Sequence, residues 1–345
     1  MIDNILLGFS AIWSVPAIFA IIMGVLVGIL CGVLPGLSAS TAVALMVPFT
    51  FGMDPLVAIL LLVSVYLAGE YGGSITAIAI GTPGTPAAAA TILDGYELTK
   101  QGKPGLALTT SVVASSIGGV IGALVLFAFS EPLAKVALSF GAPEYFGLAV
   151  FGLAIIASLA SENLMKGFLV LFIGLALKTI GLDTYTGEER FTFGIAKLMD
   201  GLGFIPALIG LFAMASVFTG LEKEMGNVKK IVLSYAMPSF RKLASMWKVY
   251  LHSSLLGAVI GVLPGAGATV ASFICYNEVK RFAKNKDEFG KGALEGVAAP
   301  EAGNNAVVGG SLVPLLTLGI PGSATAAVLV GALMLHNIQP GPLLF

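Results

Sequence analysis

The sequence predicts an all-α polytopic membrane protein built as inverted structural repeats with Pro/Gly-broken re-entrant hairpins. Composition, the distribution of charge, and a Pro-Gly pattern that recurs in order together predict it. Of the 345 residues, 57% are hydrophobic and 11% are charged, against about 25% charged in an ordinary soluble domain. No soluble fold hides that much apolar surface, because its exterior must be charged. The same figures exclude intrinsic disorder. A net charge of −1, with no basic stripe in the first half, argues against nucleic acid as a partner and for the lipid bilayer.

Charge then sets the sidedness. Lys and Arg are absent from residues 1–99, and eleven of the 18 basic residues fall between Lys223 and Lys291. Short loops rich in Lys and Arg stay cytoplasmic. Segments 94–105, 222–248 and 280–291 are therefore placed inside, together with the turn at Lys166, and the acidic 183–200 loop outside. The first residues, MIDNILLGFSAIW, carry no basic n-region and no small-residue cleavage site, and read as mature protein entering the bilayer.

In chain order, segment 15–51 is apolar throughout. As one helix it would reach about 55 Å, too long for one crossing of a core about 30 Å thick. Pro35 and Gly36 break it into a hairpin. A crossing at 55–69 and a Pro/Gly-broken segment at 72–93 follow, each arm of the latter too short to span. Residues 94–105 read as a solvated loop or short surface helix. Crossings are expected at about 106–129, 143–160, 164–182 and 201–221, with Lys178 snorkelling at a helix end. Phe240–Lys248 mixes basic and apolar residues as an interfacial amphipathic helix does. A second hairpin, 249–279, and a solvated stretch at 280–292 complete the reading.

The second hairpin repeats the first. GILCGVLPGLSAS (28–40) aligns with GAVIGVLPGAGAT (257–269) at an offset of 229. The stretch beginning at Glu70 matches the one at Glu301 at offset 231, and Gly81-Thr-Pro-Gly-Thr matches Gly319-Ile-Pro-Gly-Ser at offset 238. Residues 1–248 thus form a first transmembrane repeat and 249–345 a second, shorter one, which reads as part of a longer protein. If 72–93 is re-entrant, Asp54 lies outside and Lys100 inside, and the repeats are inverted. If it crosses as a broken helix, they are parallel. Inverted repeats are the architecture of many secondary transporters.

Irregular backbone at membrane depth is tolerated where protein buries it or where it lines a cavity. The breaks lie at Pro35-Gly36, Pro83-Gly84, Pro264-Gly265 and Pro321-Gly322, each followed by small polar residues. A helix restarting after a break offers free N–H groups and a partial positive charge, which bind anions. Carbonyls ending the preceding arm suit a hard cation. No Lys or Arg lies in these segments, so an anionic substrate must rely on helix ends and hydroxyls. Substrate-binding candidates are Gly36, Ser38, Ser40, Thr41, Thr82, Gly84, Thr85, Gly265, Gly267, Thr269, Gly322 and Ser323. Coupling-ion candidates are Glu70, Glu301, Asn304 and Asn305, since ionisable groups inside a membrane mark function by default. The competing readings stay open: Gly24, Gly28, Gly32 and Gly36 form a GxxxG packing ladder, and Glu70 sits at a helix end near water or bonds for packing.

Enzyme chemistry finds no support. Cys31 and Cys275 lie alone in apolar runs, His252 and His336 are isolated, and HExxH and a GxSxG elbow are absent. An intramembrane enzyme would need a nucleophile–base pair or a metal motif.

The long runs GVLPGLSAST, GEYGGSITAIAIGTPGTPAAAATILDGYELTKQGKPGLAL and PEAGNNAVVGGSLVPLLTLGIPGSATAAVLVGALMLHNIQPGP resemble the large membrane subunit of the tripartite tricarboxylate transporters (TctA type). The resemblance covers nearly the whole chain. It implies a multi-pass permease of the bacterial inner membrane. Its partners would be a small membrane subunit (TctB type) and a periplasmic solute-binding protein (TctC type) that delivers a carboxylate. Uptake would be driven by an ion gradient, typically Na+, without ATP, and no cofactor beyond that ion is implied. Family members extend beyond Phe345. The expected function is secondary active import of small tri- or dicarboxylates, citrate-like, coupled to Na+ or H+. The alternatives are another small organic anion or an uncoupled channel.

Overall fold

The computed structural model describes residues 8, 10–144, 146–147, 149–150, 164–183, 188–199, 201–202, 210–211, 218, 237–263, 265 and 267–345. The expected crossings at 143–160 and 201–221, and the basic stretch up to 236, lie largely outside the described residues. The fold is all-α, with one antiparallel ladder pairing β1 (Gly181–Leu182) and β2 (Glu189–Arg190) among the described residues.

Helix α1 (Val15–Val33) starts at an N-cap, Ser14, whose hydroxyl accepts from Ala17 N. Its buried positions, Ala17, Ala20, Gly24, Gly28 and Gly32, form one stripe at helical spacing. That stripe packs on α3 (Pro55–Ile80). A Cβ on Gly24, Gly28 or Gly32 would lie within 2.6 Å of the carbonyls of Leu61, Val65 or Gly69. Between lipid-exposed helices, which have no hydrophobic drive to associate, such backbone contact supplies the packing. The ladder stops at Gly32. Gly36 has nothing within 4 Å of its Cβ position and instead takes a φ of +99° in the turn. After that turn α2 (Ala39–Met46) restarts.

Asp54 caps α3, accepting from Leu56 N and Val57 N, with proline in the first turn. This helix corrects the expected break between 69 and 72. It runs unbroken for 26 residues through Glu70, Gly72 and Gly73 to a left-handed cap at Gly81 (φ +70°). The glycines persist in the helix because α1 presses there: a Cβ on Gly72 would meet the Ile29 carbonyl at 2.8 Å. The chain then folds back, and Gly84 N donates to Gly73 O at 3.1 Å. A short turn, Pro86–Ala88, leads into α4 (Ala89–Lys100). Thr99 Oγ1 donates to Ile78 O at 2.7 Å, so α4 leaves on the side where α3 ends. Of the solvated loop or short surface helix expected from Asp94, the helix is found, since α4 continues to Lys100, but Asp94 itself is a correction: it is fully buried.

Helix α5 (Pro104–Ala137) contains the expected 106–129 crossing, and α6 (Leu164–Lys178) falls in the expected 164–182 span. With α1 and α3, α5 is long and apolar enough to cross a bilayer. The basic–apolar stretch forms α7 (Phe240–Ser245), which leads directly into α8 (Trp247–Val262). The second hairpin closes with α9 (Gly267–Phe282). Helix α10 (Leu294–Leu318) ends at a left-handed Gly319 (φ +72°), and α11 (Ala324–Leu335) completes the bundle.

Helix α10 is the axis of the bundle. It is buried from Gly296 to Leu315. A Cβ on Gly118 of α5 would meet the Ala302 carbonyl at 2.3 Å, and one on Gly257 of α8 would meet the Gly303 carbonyl at 2.2 Å. Helices α3 and α10 run antiparallel, because Tyr66 faces Ser311 while Ser74 faces Glu301.

The same close approaches occur before and after residue 249. A Cβ on Gly84 would strike the Gly32 carbonyl and the Gly73 Cα, and one on Gly322 would strike the Gly261 carbonyl and the Ser311 Cα. Thr82 N donates to Thr76 O, and Ile320 N to Pro314 O. All these pairs in α3 and α10 keep the offset of 238 set by the caps Gly81 and Gly319. The expected match of Glu70 to Glu301 is therefore corrected: the caps pair Glu70 with Val308 and Glu301 with Val63. The slip of seven residues is two helical turns and preserves the face, which is why the sequence alignment accepts it.

Candidate functional site

The breaks are seated in pairs. Breaks one and two touch where Gly84 packs on the Gly32 carbonyl. Breaks three and four touch where Gly265 N donates to Gly322 O at 3.0 Å. Pro264 lies outside the described residues. Each half also covers the other. Ala39 and Val43 of α2 share a core with Ala326 and Leu329 of α11. Ala268 and Ala271 of α9 share one with Ala87 and with Val307 of α10.

In the first break Ser38 is the N-cap of α2. Its Oγ accepts from Thr41 N at 3.2 Å and lies 2.7 Å from Ser40 Oγ and 2.9 Å from Thr41 Oγ1. This satisfies a donor that a helix start leaves free. Ser38 is half-buried, Ser40 and Thr41 buried. In the second break Thr82 is exposed, while Gly84 and Thr85 are buried. Thr85 caps the Pro86–Ala88 turn without a side-chain hydrogen bond. In the third, Gly265 and Gly267 take positive φ (+81° and +63°), and Thr269 is exposed on α9. In the fourth, Gly322 is buried, and Ser323 caps α11 by accepting from Ala326 N at 3.1 Å. Tyr66 of α3 crosses between the halves to Ser323, its hydroxyl 2.8 Å from Ser323 Oγ.

The acids lie deep between α3 and α10. Glu301 is fully buried and accepts hydrogen bonds from four hydroxyls. Ser74 and Thr91 donate to Oε1 at 2.5 Å each, and Ser111 and Ser115 to Oε2 at 3.0 and 2.9 Å. An ionised carboxylate has about four lone-pair sites, and this arrangement uses them all. Glu70 lies mid-helix on α3, 7% exposed, and not at a helix end near water. Asn305 Nδ2 donates back to Glu301 O at 3.3 Å. Asn304 is 1% exposed, and neither its Oδ1 nor its Nδ2 has a partner among the described residues.

Sequence reasoning missed this hydroxyl cluster. Its signal was present: Ser111 and Ser115 sit at i, i+4 on the α5 face that carries Gly118 and Gly122 onto α10. Asp94 was missed as well. Its Oδ1 accepts from Gly290 N, Gly292 N and Ala293 N at 2.8 Å each, and Tyr276 donates to its Oδ2 at 2.9 Å. It clasps α4 to the turn that joins α9 to α10.

Apolar helices, glycine contacts and buried polar helix ends define an all-α membrane protein with a polar interior. Its family follows from comparison with known proteins. The model of the tripartite tricarboxylate transporter TctA family matches residues 18–345, and the chain belongs to that family. This is a transporter family rather than an enzyme family. The chain is 41% identical to an uncharacterized 52.8 kDa protein in the TAR-I ttuC' 3' region of Agrobacterium vitis, over 99% of this chain and 68% of that protein. It is 54% identical to an uncharacterized protein in the TAR-II ttuC' 3' region of the same organism, over 25% of this chain and 36% of that one. No solved structure matches the chain.

Proposed function

We propose that the chain is the large permease subunit of a secondary active transporter that imports small tri- or dicarboxylates, citrate-like, across a bacterial inner membrane. A Na+ or H+ gradient drives uptake. A periplasmic binding protein of the TctC type delivers the substrate, and a small membrane subunit of the TctB type completes the complex. Membership of the TctA family supports this reading.

The observation that carries the mechanism is the reciprocal seating of the breaks across antiparallel α3 and α10. It supports two inverted repeats, one before and one after residue 249, each inserting a hairpin against the broken helix of the other. The hydroxyls at Ser38, Ser40, Thr41, Thr82, Thr269 and Ser323 hold carboxylates together with N–H groups near Gly36, Gly84, Gly265, Gly267 and Gly322. Charge-assisted bonds from neutral donors suffice where no arginine is present. The coupling ion lies near Glu70, Glu301, Asn304 and Asn305. Because its lone pairs are occupied, Glu301 acts through its field and through holding α10 in register rather than as a direct ligand.

The test is uptake of labelled citrate and related acids by the complete three-component system, with and without a Na+ gradient. Saturable uptake that collapses with the gradient and needs the binding protein is the expected result. Non-saturating, gradient-independent flux would mark a channel instead.

A further inference from the structure

The second and fourth breaks are closed differently. What this difference implies rests on the permease reading above and deepens it. In the second half the cap of α11 is closed from across the interface. Tyr66 Oη lies 2.8 Å from Ser323 Oγ and 3.4 Å from Ser311 Oγ. Counting back from the caps Gly81 and Gly319, Tyr66 corresponds to Asn304, Ser323 to Thr85, and Ser311 to Gly73.

The geometry supports the correspondence. The antiparallel register that pairs Tyr66 with Ser311 and Ser74 with Glu301 brings Asn304 level with Gly73. Thr85 lies against that same glycine: a Cβ on Gly73 would sit 2.3 Å from Thr85 Oγ1. Here, however, the closing bond is absent. Thr85 Oγ1, Asn304 Oδ1 and Asn304 Nδ2 are all buried without a hydrogen-bond partner among the described residues. Buried polar atoms of this kind destabilise the fold unless something binds them. An asparagine side chain lacks the ring that carries the Tyr66 hydroxyl across to Ser323.

The surroundings select the charge of what fits between them. Glu70 lies on α3 one turn before Gly73, and Glu301 lies on α10 one turn before Asn304. Both are buried, and no ion pair among the described residues involves either. In their ionised form two buried carboxylates repel an anion and attract a cation, and a cation beside them favours that form over the neutral one that burial alone selects. Hydroxyl and amide oxygens are hard ligands, suited to a hard cation and not to a soft one. We propose that Thr85 Oγ1 and Asn304 Oδ1 ligate one monovalent cation per chain, and that the Tyr66 hydroxyl occupies the equivalent place in the other half.

The experiment measures binding of radiolabelled Na+ to the purified complete transporter in detergent, alongside citrate uptake by the same preparation in vesicles. Thr85→Val and Asn304→Leu, nearly isosteric, should each weaken Na+ binding at least tenfold, while Thr85→Ser retains it. Tyr66→Asn should add one Na+ equivalent. Wild-type Na+ affinity in both Thr85→Val and Asn304→Leu overturns the site, and an unchanged equivalent count in Tyr66→Asn overturns the role given to Tyr66. Should a variant fail to fold, its unfolding temperature shows it, and the remaining ligand variant decides the site. Citrate uptake without any Na+ binding in the wild type overturns the cation assignment and leaves the permease reading standing. Na+ binding lost in both ligand variants, in a complex that takes up no carboxylate, upholds the site and sinks that reading.

Discussion

Gly84→Ala should be among the most damaging single-methyl changes in this fold. A Cβ there would lie 1.9 Å from the Gly32 carbonyl oxygen and 2.8 Å from the Gly73 Cα. Ordinary non-bonded separation is about 3.5 Å, so the breaks would have to part by about 1.5 Å. Both obstacles are backbone atoms, which have no rotamer to yield. Overpacking costs about 1–3 kcal/mol where side chains can adjust, and the upper end applies here. Parting the breaks also strains the bond from Gly84 N to Gly73 O, worth about 1 kcal/mol. The expected loss is about 3–4 kcal/mol. Gly36→Ala is the control. Nothing lies within 4 Å of its Cβ position, and only its φ of +99° resists, for about 1–2 kcal/mol. Denaturant titration of both variants in detergent, followed by tryptophan fluorescence, measures the difference. A Gly84→Ala protein as stable as Gly36→Ala would refute the seating of the second break on the first.

Other consequences follow from the buried carboxylates and from sidedness. Glu301→Gln replaces an acceptor oxygen with an NH2 donor, so two of the four hydroxyls that donate to it lose the acceptor for their hydrogens. At about 0.6 kcal/mol per bond within a membrane, and up to about 3 for bonds to a charge, the expected destabilisation from the two bonds is about 1–6 kcal/mol by the same titration. An unchanged midpoint counts against the clamp. Asp94→Ala strips the acceptor from the N–H groups of Gly290, Gly292 and Ala293, for about 3 kcal/mol or more. Hydrogen exchange at those amides should accelerate, whereas Tyr276→Phe leaves them protected. Because α4 leaves on the side where α3 ends, Asp54→Cys should label with an impermeant thiol reagent only from the periplasm and Lys100→Cys only from the cytoplasm. Labelling of both from one side would exclude inverted halves.

Much of the fold was legible because it is written in residues with few conformational options. Pro-Gly pairs stop helices whatever surrounds them, so the turns at 34–38 and 81–85 were visible in the sequence. Gly72 and Gly73 misled for the same reason: glycine reads as a breaker until a neighbouring helix needs the space, and here α1 does. Asp94 looked solvated because charge usually is, and its burial depends on backbone donors almost 200 positions away. The site was legible where it was local, as in the Ser38 cap. It was hidden where it depends on register between distant helices. Tyr66 meets Ser323 only once α3 and α10 lie antiparallel, and no local pattern states that.

The central claim is that carboxylates cross by way of the helix breaks. Uptake of labelled citrate by complexes carrying Ser38→Leu or Thr269→Leu tests it most directly, with expression and unfolding temperature matched to the wild type. A bulky apolar side chain at either position removes a hydroxyl and fills the space where a carboxylate would bind, so uptake should fall to background in both. Uptake at the wild-type rate in both would contradict the account.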